Sequence, residues 1–333
     1  MSFRKRISRR TTVFLSALAV AEFVLPSARA SDSTHVLIFE DRNASGESLA
    51  HAFFQLLSLT GSRSGVIGTT PEQDAASVGL VTPFLDPAFL LQRASGERYS
   101  AVNYMPSDVD TFEISDLRET RPSAGVIVVR YAVAAITTTP DTGMVMSAEK
   151  APRLTVFRWN KARKRWLVVS HANFNTPVAA ICSQKPVTYT GLLSPADQQQ
   201  QHLGEDLVQK WFNLLAREQG ELMLNPQVQS QTAGGDGYTT ISERKRITVT
   251  SRELDGYVVT HHEGLMVISV YHRVTDANYM GTQLGTTKNP LVLTYQQEED
   301  GTWLLIAIAI FCPPKGLPAG VACIDPGQTE QSL

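Results

Sequence analysis

The sequence predicts an α+β protein built as two tandem units, each a helical start followed by an antiparallel sheet. Three observations carry this. The chain repeats itself in order, each copy opens on residues with helical periodicity, and each continues through alternating or apolar runs ending in a hairpin and a closing strand.

The helices come first. Glu47-Ser-Leu49-Ala-His-Ala-Phe53-Phe54-Gln-Leu56-Leu57 matches Glu205-Asp-Leu207-Val-Gln-Lys-Trp211-Phe212-Asn-Leu214-Leu215 at an offset of 158. Apolar residues at 49, 53, 56 and 57, and at 207, 211, 214 and 215, lie on one face of a helix. A second short helix is expected around 71–85, abbreviated in the second copy. Leu85-Asp86-Pro87 then matches Leu224-Asn225-Pro226, and Ala94, Gly96 and Tyr99 match Ala233, Gly235 and Tyr238, at offset 139. The drop in offset places an insertion in the Gly/Ser/Thr-rich stretch 61–79. Phe112 to Thr120 aligns with Arg252 to Thr260, and Val126 to Tyr131 with Met266 to Tyr271, as strands. Hairpins are expected at Arg158 to Arg165 and Gln296 to Gly301. Trp166-Leu167, Ala172, Phe174 and Pro177 match Trp303-Leu304, Ala309, Phe311 and Pro314 at offset 137. Helices gathered at one end of a meander indicate helices on one face of the sheet.

This order, closed by Trp166-Leu-Val-Val-Ser-His171-Ala-Asn173-Phe174, resembles the nuclear transport factor 2-like superfamily, which includes the SnoaL-like cyclases and ketosteroid isomerases. Leu85-Asp86-Pro87, the Ser95-Gly96 turn and Phe112-Glu-Ile-Ser-Asp-Leu-Arg118 add to the resemblance. It covers both copies, residues 40–180 and 200–315. It implies a cystatin-like cone in which the sheet wraps the helices, an open end that can hold a small ligand, and an outer sheet face that often dimerises. A ketosteroid isomerase site would need a carboxylate base and two oxyanion donors in an apolar pocket. No such trio maps onto this chain residue by residue, and fold analogy alone selects no activity.

The expected organisation is a signal peptide at 1–30, a first domain at 31–182, a linker at 183–204, a second domain at 205–323 and a tail at 324–333. Arg4 to Arg10 form a basic run, Thr11 to Leu25 an apolar stretch, and Ala28-Arg29-Ala30 a small-residue cleavage pattern, the order of a secretory signal. Fifteen residues interrupted by Glu22 are too short to span a bilayer, so no membrane span is expected after signal removal. Ser8-Arg9-Arg10 resembles a twin-arginine signal, but Phe14-Leu15 sits two positions late for it, and a Sec signal is expected. The destination is the periplasm or the exterior. The linker reading rests on Pro177, Pro186, Pro195 and the run Gln198 to Gln201.

Composition excludes several classes. Of 30 basic and 32 acidic residues, six and one fall in 1–30, leaving 24 against 31, a net of −7 for the remainder. An acidic chain is a poor nucleic-acid binder. The run Arg158, Lys161, Arg163, Lys164, Arg165 is accordingly read as a solvated hairpin tip. Gly234-Gly235-Asp236-Gly237 lacks the Lys-Ser/Thr of a phosphate loop and reads as a turn. His261-His262-Glu263 reads as a hairpin turn, because adjacent strand residues face opposite ways. No metal site and no cofactor are expected. Of the three cysteines, Cys182, Cys312 and Cys323, the last two bracket a short Pro/Gly-rich loop and could pair, and three unpaired thiols is the alternative.

The closing strand carries the candidate site. Strict alternation puts Leu167, Val169, His171 and Asn173 on one face and Trp166, Val168, Ser170, Ala172 and Phe174 on the other. The second copy has Ile308 and Ile310 in place of His171 and Asn173, so the first copy is polar where the second is apolar. His171 is then an acid/base or ligand-donor candidate with Asn173 beside it; the competing reading is a hydrogen-bonded or solvated edge histidine. Arg130 and Tyr131 would add an anion clamp and a hydroxyl, and Tyr99 and Tyr104 the mouth. Tyr131 aligned with Tyr271, and Tyr99 with Tyr238, suggest packing roles. The function expected is binding of a small apolar ligand or a protein partner, with a SnoaL-like lyase or isomerase acting on a small cyclic or carbonyl substrate as the alternative. A dimer or an intramolecular pseudo-dimer is expected. The oppositely charged tips, Arg158 to Arg165 and Glu298-Glu299-Asp300, would steer that contact.

Overall fold

A computed structural model describes residues 34–61, 78–94, 96–104, 106, 108–138, 145–146, 149–175, 177–179, 195–214, 222–235, 237–238, 247–248, 251–279 and 282–311. The first unit starts with helix α1 (Thr34–Glu40) and helix α2 (Gly46–Gly61). Ser45 caps α2, its Oγ accepting from the Ser48 N–H at 3.1 Å, which satisfies one of the free donors at a helix start. The predicted stripe of Leu49, Phe53, Leu56 and Leu57 is buried. Helical residues 78–81 and a single 3-10 turn, Thr82–Phe84, lead into the sheet.

That sheet holds β1 (Leu85–Arg93), β2 (Arg98–Ser100), β3 (Asp108–Ser123), β4 (Val126–Thr138), β5 (Val145–Met146), β6 (Ala151–Asn160), β7 (Arg165–Asn173) and β8 (Pro177–Ala179). The order is β2-β1-β7-β6-β4-β5-β8, with β3 paired to β4. The second unit has helix α3 (Pro195–Asn213) and strands β9 (Leu224–Thr232), β10 (Gly237–Tyr238), β11 (Ile247–Thr248), β12 (Ser251–His262), β13 (Leu265–Tyr279), β14 (Thr282–Gln297) and β15 (Trp303–Ile310). Its order, β10-β9-β15-β14-β13-β11 with β12 on β13, follows the same path. In each sheet the first strand pairs parallel with the long closing strand, β1 with β7 and β9 with β15. Each sheet is therefore mixed rather than wholly antiparallel, because the chain returns across the meander before these two strands meet.

Irregularities repeat as faithfully as the strands. Bulges with positive φ sit at Asp116 in β3 and Gly256 in β12, where they bend the long strands. The closing strands each carry an extra residue, Val169 and Ile306, between matched register positions. Gly46 and Gly204, the residues before the aligned Glu47 and Glu205, both bring a helix hard against the sheet. A Cβ on Gly46 would lie 2.5 Å from Val129 Cγ2, and one on Gly204 2.7 Å from Val259 Cγ2.

The residues expected as the end of the linker, 195–204, form instead the first turns of α3. Proline is tolerated at a helix start, and glutamine is a good helix former. The segment expected as a signal peptide, residues 62–77 of the expected insertion, residues 180–194, the expected tail and all three cysteines lie outside the described residues. No described helix is long and apolar enough to cross a membrane.

The two sheets pack face to face. Ala88, Leu90, Val128, Leu154, Val156, Val169, Ala172 and Phe174 from the first interleave with Leu265, Val267, Val292, Ile306, Ala307, Ala309 and Phe311 from the second in one buried cluster. Phe174 stacks on Phe311, its own counterpart in the repeat, with centroids 4.4 Å apart. Polar pairs are set within the apolar face: Ser269 Oγ donates to Gln92 Oε1 at 2.7 Å, Ser170 and Thr294 hydroxyls lie 3.1 Å apart, and Thr260 Oγ1 donates to the Ala88 carbonyl at 2.6 Å.

The charged hairpin tip is only partly solvated. Lys161, Arg163 and Lys164 are exposed, but Arg158 is buried. It pairs with Asp86, and its Nη1 donates to the carbonyls of His262 and Glu263 of the second unit at 3.1 and 3.3 Å. Among the described residues no ion pair joins the first tip to Glu298, Glu299 or Asp300, so the expected attraction between tips is replaced by this single inward arginine. Its cause is Asp86, a fully buried carboxylate whose pKa is raised by desolvation and lowered by Arg158. The matching positions of the second unit are the neutral residues Asn225 and Gln296.

Two outcomes follow for stability. Gly46→Ala and Gly204→Ala should each lower the unfolding free energy by about 1–3 kcal/mol in chemical denaturation, the cost of overpacking. Arg158→Gln should cost about 3 kcal/mol by leaving Asp86 unpaired, whereas Arg158→Gln combined with Asp86→Asn, the second unit's own pair, should recover most of that loss.

Candidate functional site

On the helix-facing side of the first sheet, strand register lines up a polar row. Arg93 of β1 lies beside Asn173 of β7, Asn173 beside Arg153 of β6, and Arg153 beside Tyr131 of β4. The neighbouring row reads Leu91, His171, Thr155 and Val129. Phe53 and Phe54 of α2 close over it, their ring centroids 5.3 and 6.3 Å from His171. Arg93, Arg153, Thr155, Tyr131 and His171 are all buried, while Asn173 is half-buried at the strand end.

Hydrogen bonds inside the cluster have a direction. Tyr131 and Thr155 hydroxyls are 2.9 Å apart, and Thr155 Oγ1 is 2.8 Å from His171 Nδ1. If Tyr131 donates to Thr155 and Thr155 to His171, both hydroxyl protons are used; the reverse order leaves the buried Tyr131 proton without an acceptor. His171 is therefore the Nε2–H tautomer. Its pKa lies well below the ordinary histidine value because burial, and then the Arg153 and Arg93 guanidiniums, disfavour its cation. Burial likewise pushes Tyr131 up to about 12.

The two arginines differ. Arg93 Nη1 meets Glu97 Oε2 at 3.2 Å and Tyr99 Oη at 3.3 Å, and its guanidinium lies 4.7 Å from the Tyr99 ring. Arg153 Nη1 donates to the carbonyls of Pro152 and Ala151 at 2.7 and 3.4 Å. Among the described residues Arg153 makes no ion pair and its Nε has no hydrogen-bond partner, and burial lowers its pKa to about 10. Asn173 Oδ1 already accepts from the Asn175 N–H. Arg153 Nε, the Asn173 amide nitrogen and His171 Nε2–H, which no described residue claims, are all donors. Buried donors beside a cation are chemically suited to an anion.

Of the residues singled out from sequence, His171, Asn173 and Tyr131 share this interior, and Tyr99 borders it through Arg93. Arg130 does not join them. It faces the second sheet against Gly237, beside Leu154 in the register. His171 is buried and hydrogen-bonded, not a solvated edge residue. Strict alternation along β7 fails at the Val169 bulge, so Trp166 and Val168 share the interior with His171, and Leu167 does not. Register also places Val270, not Tyr271, opposite Leu291 as Tyr131 lies opposite Arg153. Tyr271 faces the first sheet, donating to the Gly96 carbonyl, so the alignment of Tyr131 with Tyr271 is one residue out. The corrected second-unit rows are Thr232, Ile310, Leu291, Val270 and Ser230, Ile308, Leu293, Ile268, which hold no ionisable residue.

Arg93, Arg153, Thr155, Phe53 and Phe54 complete the site without having been singled out. The available signal was Arg153 and Thr155 alternating inside the apolar run Ala151 to Phe157. Glu263 and Gly264 form the expected hairpin turn, both at positive φ. Among the described residues no cluster of three His, Cys, Asp or Glu is placed to hold a metal ion.

No protein-family model matches the chain, and no curated protein matches it. Among solved structures it is similar to an NTF2-like protein from Cytophaga hutchinsonii, at 17% identity and a TM-score of 0.29, covering 36% of this chain and 100% of that one. It is similar also to an NTF2-like protein of unknown function in nutrient uptake from Rhodospirillum rubrum, at 10% identity and a TM-score of 0.30, over 40% of this chain and 100% of that one. A third is an NTF2-like protein of unknown function from Pseudomonas putida, at 11% identity and a TM-score of 0.25, over 37% and 90%.

The buried neutral histidine sets a pH dependence. Because the folded state holds His171 below the unfolded value, its contribution is fully present above the unfolded pKa near 6.5 and declines as pH falls toward the folded pKa. In urea titrations, His171→Gln should lose less stability than the native chain between pH 7.5 and 5.0, the difference growing by at most about 1.4 kcal/mol per pH unit.

Proposed function

We propose that the protein is a binding protein whose first unit takes a small organic ligand with an apolar body and an acidic group, and whose second unit is scaffold. The carrying observation is Arg153, a buried cation without a counter-charge among the described residues, at the place where the second unit has Leu291. The apolar ligand expected from the sequence thus gains an acidic head, with Phe53 and Phe54 supporting its apolar part. Export to the periplasm through the leader at 1–30 belongs to the same reading and rests on the basic, apolar and small-residue order of that segment.

A lyase or isomerase of the SnoaL-like kind is the second reading, favoured by the Tyr131, Thr155, His171 relay. Binding is preferred because burial, and then two guanidiniums, weaken His171 as a base, and Glu97 is held by Arg93.

The test sets function against stability at one residue. Arg153→Leu should abolish the organic acid that native mass spectrometry finds on the purified native protein. With ligand removed, the variant should be as stable as the native chain or more stable, by about 1 kcal/mol, since an uncompensated buried charge is gone. A ligand-free variant that is clearly less stable would make Arg153 a structural anchor and overturn the proposal.

A further inference from the structure

Resting on that reading, we infer that the site selects ligands carrying a single negative charge on a flat apolar body, and that Glu97 sets this limit.

Among the described residues, the charges facing the site are few. Arg93 and Arg153 are the cations; Glu97, buried and 3.2 Å from Arg93, offsets one of them. His171 is neutral, and Tyr131, held at about 12, stays protonated. The surplus is one positive charge, on Arg153. A monoanion cancels it. A dianion would bring a second charge into a desolvated interior with nothing left to compensate it, and a neutral analogue would leave Arg153 as it is, so both are disfavoured.

The aromatic rings beside the cluster suggest the rest of the ligand. Phe54 contacts Tyr131 and Phe112 edge-on or tilted at 6.2 and 5.5 Å between centroids, and Phe53 meets His171 edge-on. Such rings favour a planar partner in stacked or edge-to-face contact. The half-buried Asn173, between the two arginines in the row, offers its amide as a second donor to the same carboxylate.

Benzoate, phthalate and benzyl alcohol are suitable probes, measured by calorimetry near neutral pH on the full chain after ligand removal by unfolding and refolding. Benzoate should bind at least about tenfold more tightly than phthalate and than benzyl alcohol, and Arg153→Leu should remove the preference over the alcohol. Glu97→Gln raises the surplus to two and should narrow or reverse the preference over phthalate. Should that variant not fold, the native preference decides alone. Phthalate binding as well as or better than benzoate would overturn the single-charge limit while leaving the anion reading intact. Absence of binding by both acids, or benzyl alcohol binding as tightly as benzoate, would overturn the anion reading and this inference with it.

Discussion

The contact on which the rest depends is the stacking of the two sheets about the Phe174 and Phe311 pair. Each sheet has one face committed to helices and another that would be a broad apolar surface if left in water, and it is their mutual burial that makes both stable. With Val156, Val169, Ala172 and Ala309 occupying the outward positions, the inward positions of the same strands are relieved of that duty. His171 and Asn173 on β7, and Arg93 on β1, lie one residue from the interface yet point the other way. The polar site is thus carried by strands whose opposite faces are dry and tightly held, which is the rigid support a preorganised site requires.

The two units show what one scaffold does under two inward patterns. Thr155, His171, Asn173 and Arg153 correspond to Leu293, Ile308, Ile310 and Leu291, and Asp86 with Arg158 to Asn225 with Gln296. Backbone features are shared: the close glycines at the start of α2 and inside α3, the bulges at Asp116 and Gly256, and the extra residues Val169 and Ile306. Architecture therefore demands the glycines and bulges, while the interior charges are specific to the first unit and impose a desolvation cost that the second avoids.

Much of this was legible in the sequence because a repeat is its own control. Helical periodicity placed α2, the collinear offsets placed the strands, and the substitution of His171 by Ile308 pointed to the correct interior. What was not legible follows from backbone register. A single extra residue at Val169 switches the face of everything before it, so alternation assigned Trp166 and Val168 wrongly. A one-residue slip matched Tyr131 with Tyr271, which face opposite ways, and made a site residue look like shared packing. Arg153 escaped notice because an arginine in a strand ordinarily points to water; only pairing with Tyr131 and Asn173 shows that it points inward. Proline and glutamine suggested a linker at 195–204, yet both suit the first turns of a helix.

Phe174 on Phe311 also has a meaning that a dimer of identical chains could not give it. Covalent connection keeps the two faces at high effective concentration, so their association does not weaken as the protein becomes scarce. Nor must a change on one side be mirrored on the other. An obligate homodimer would have to carry two copies of any buried charge; here a single copy suffices, and the uncharged half supplies stability that the charged half draws upon.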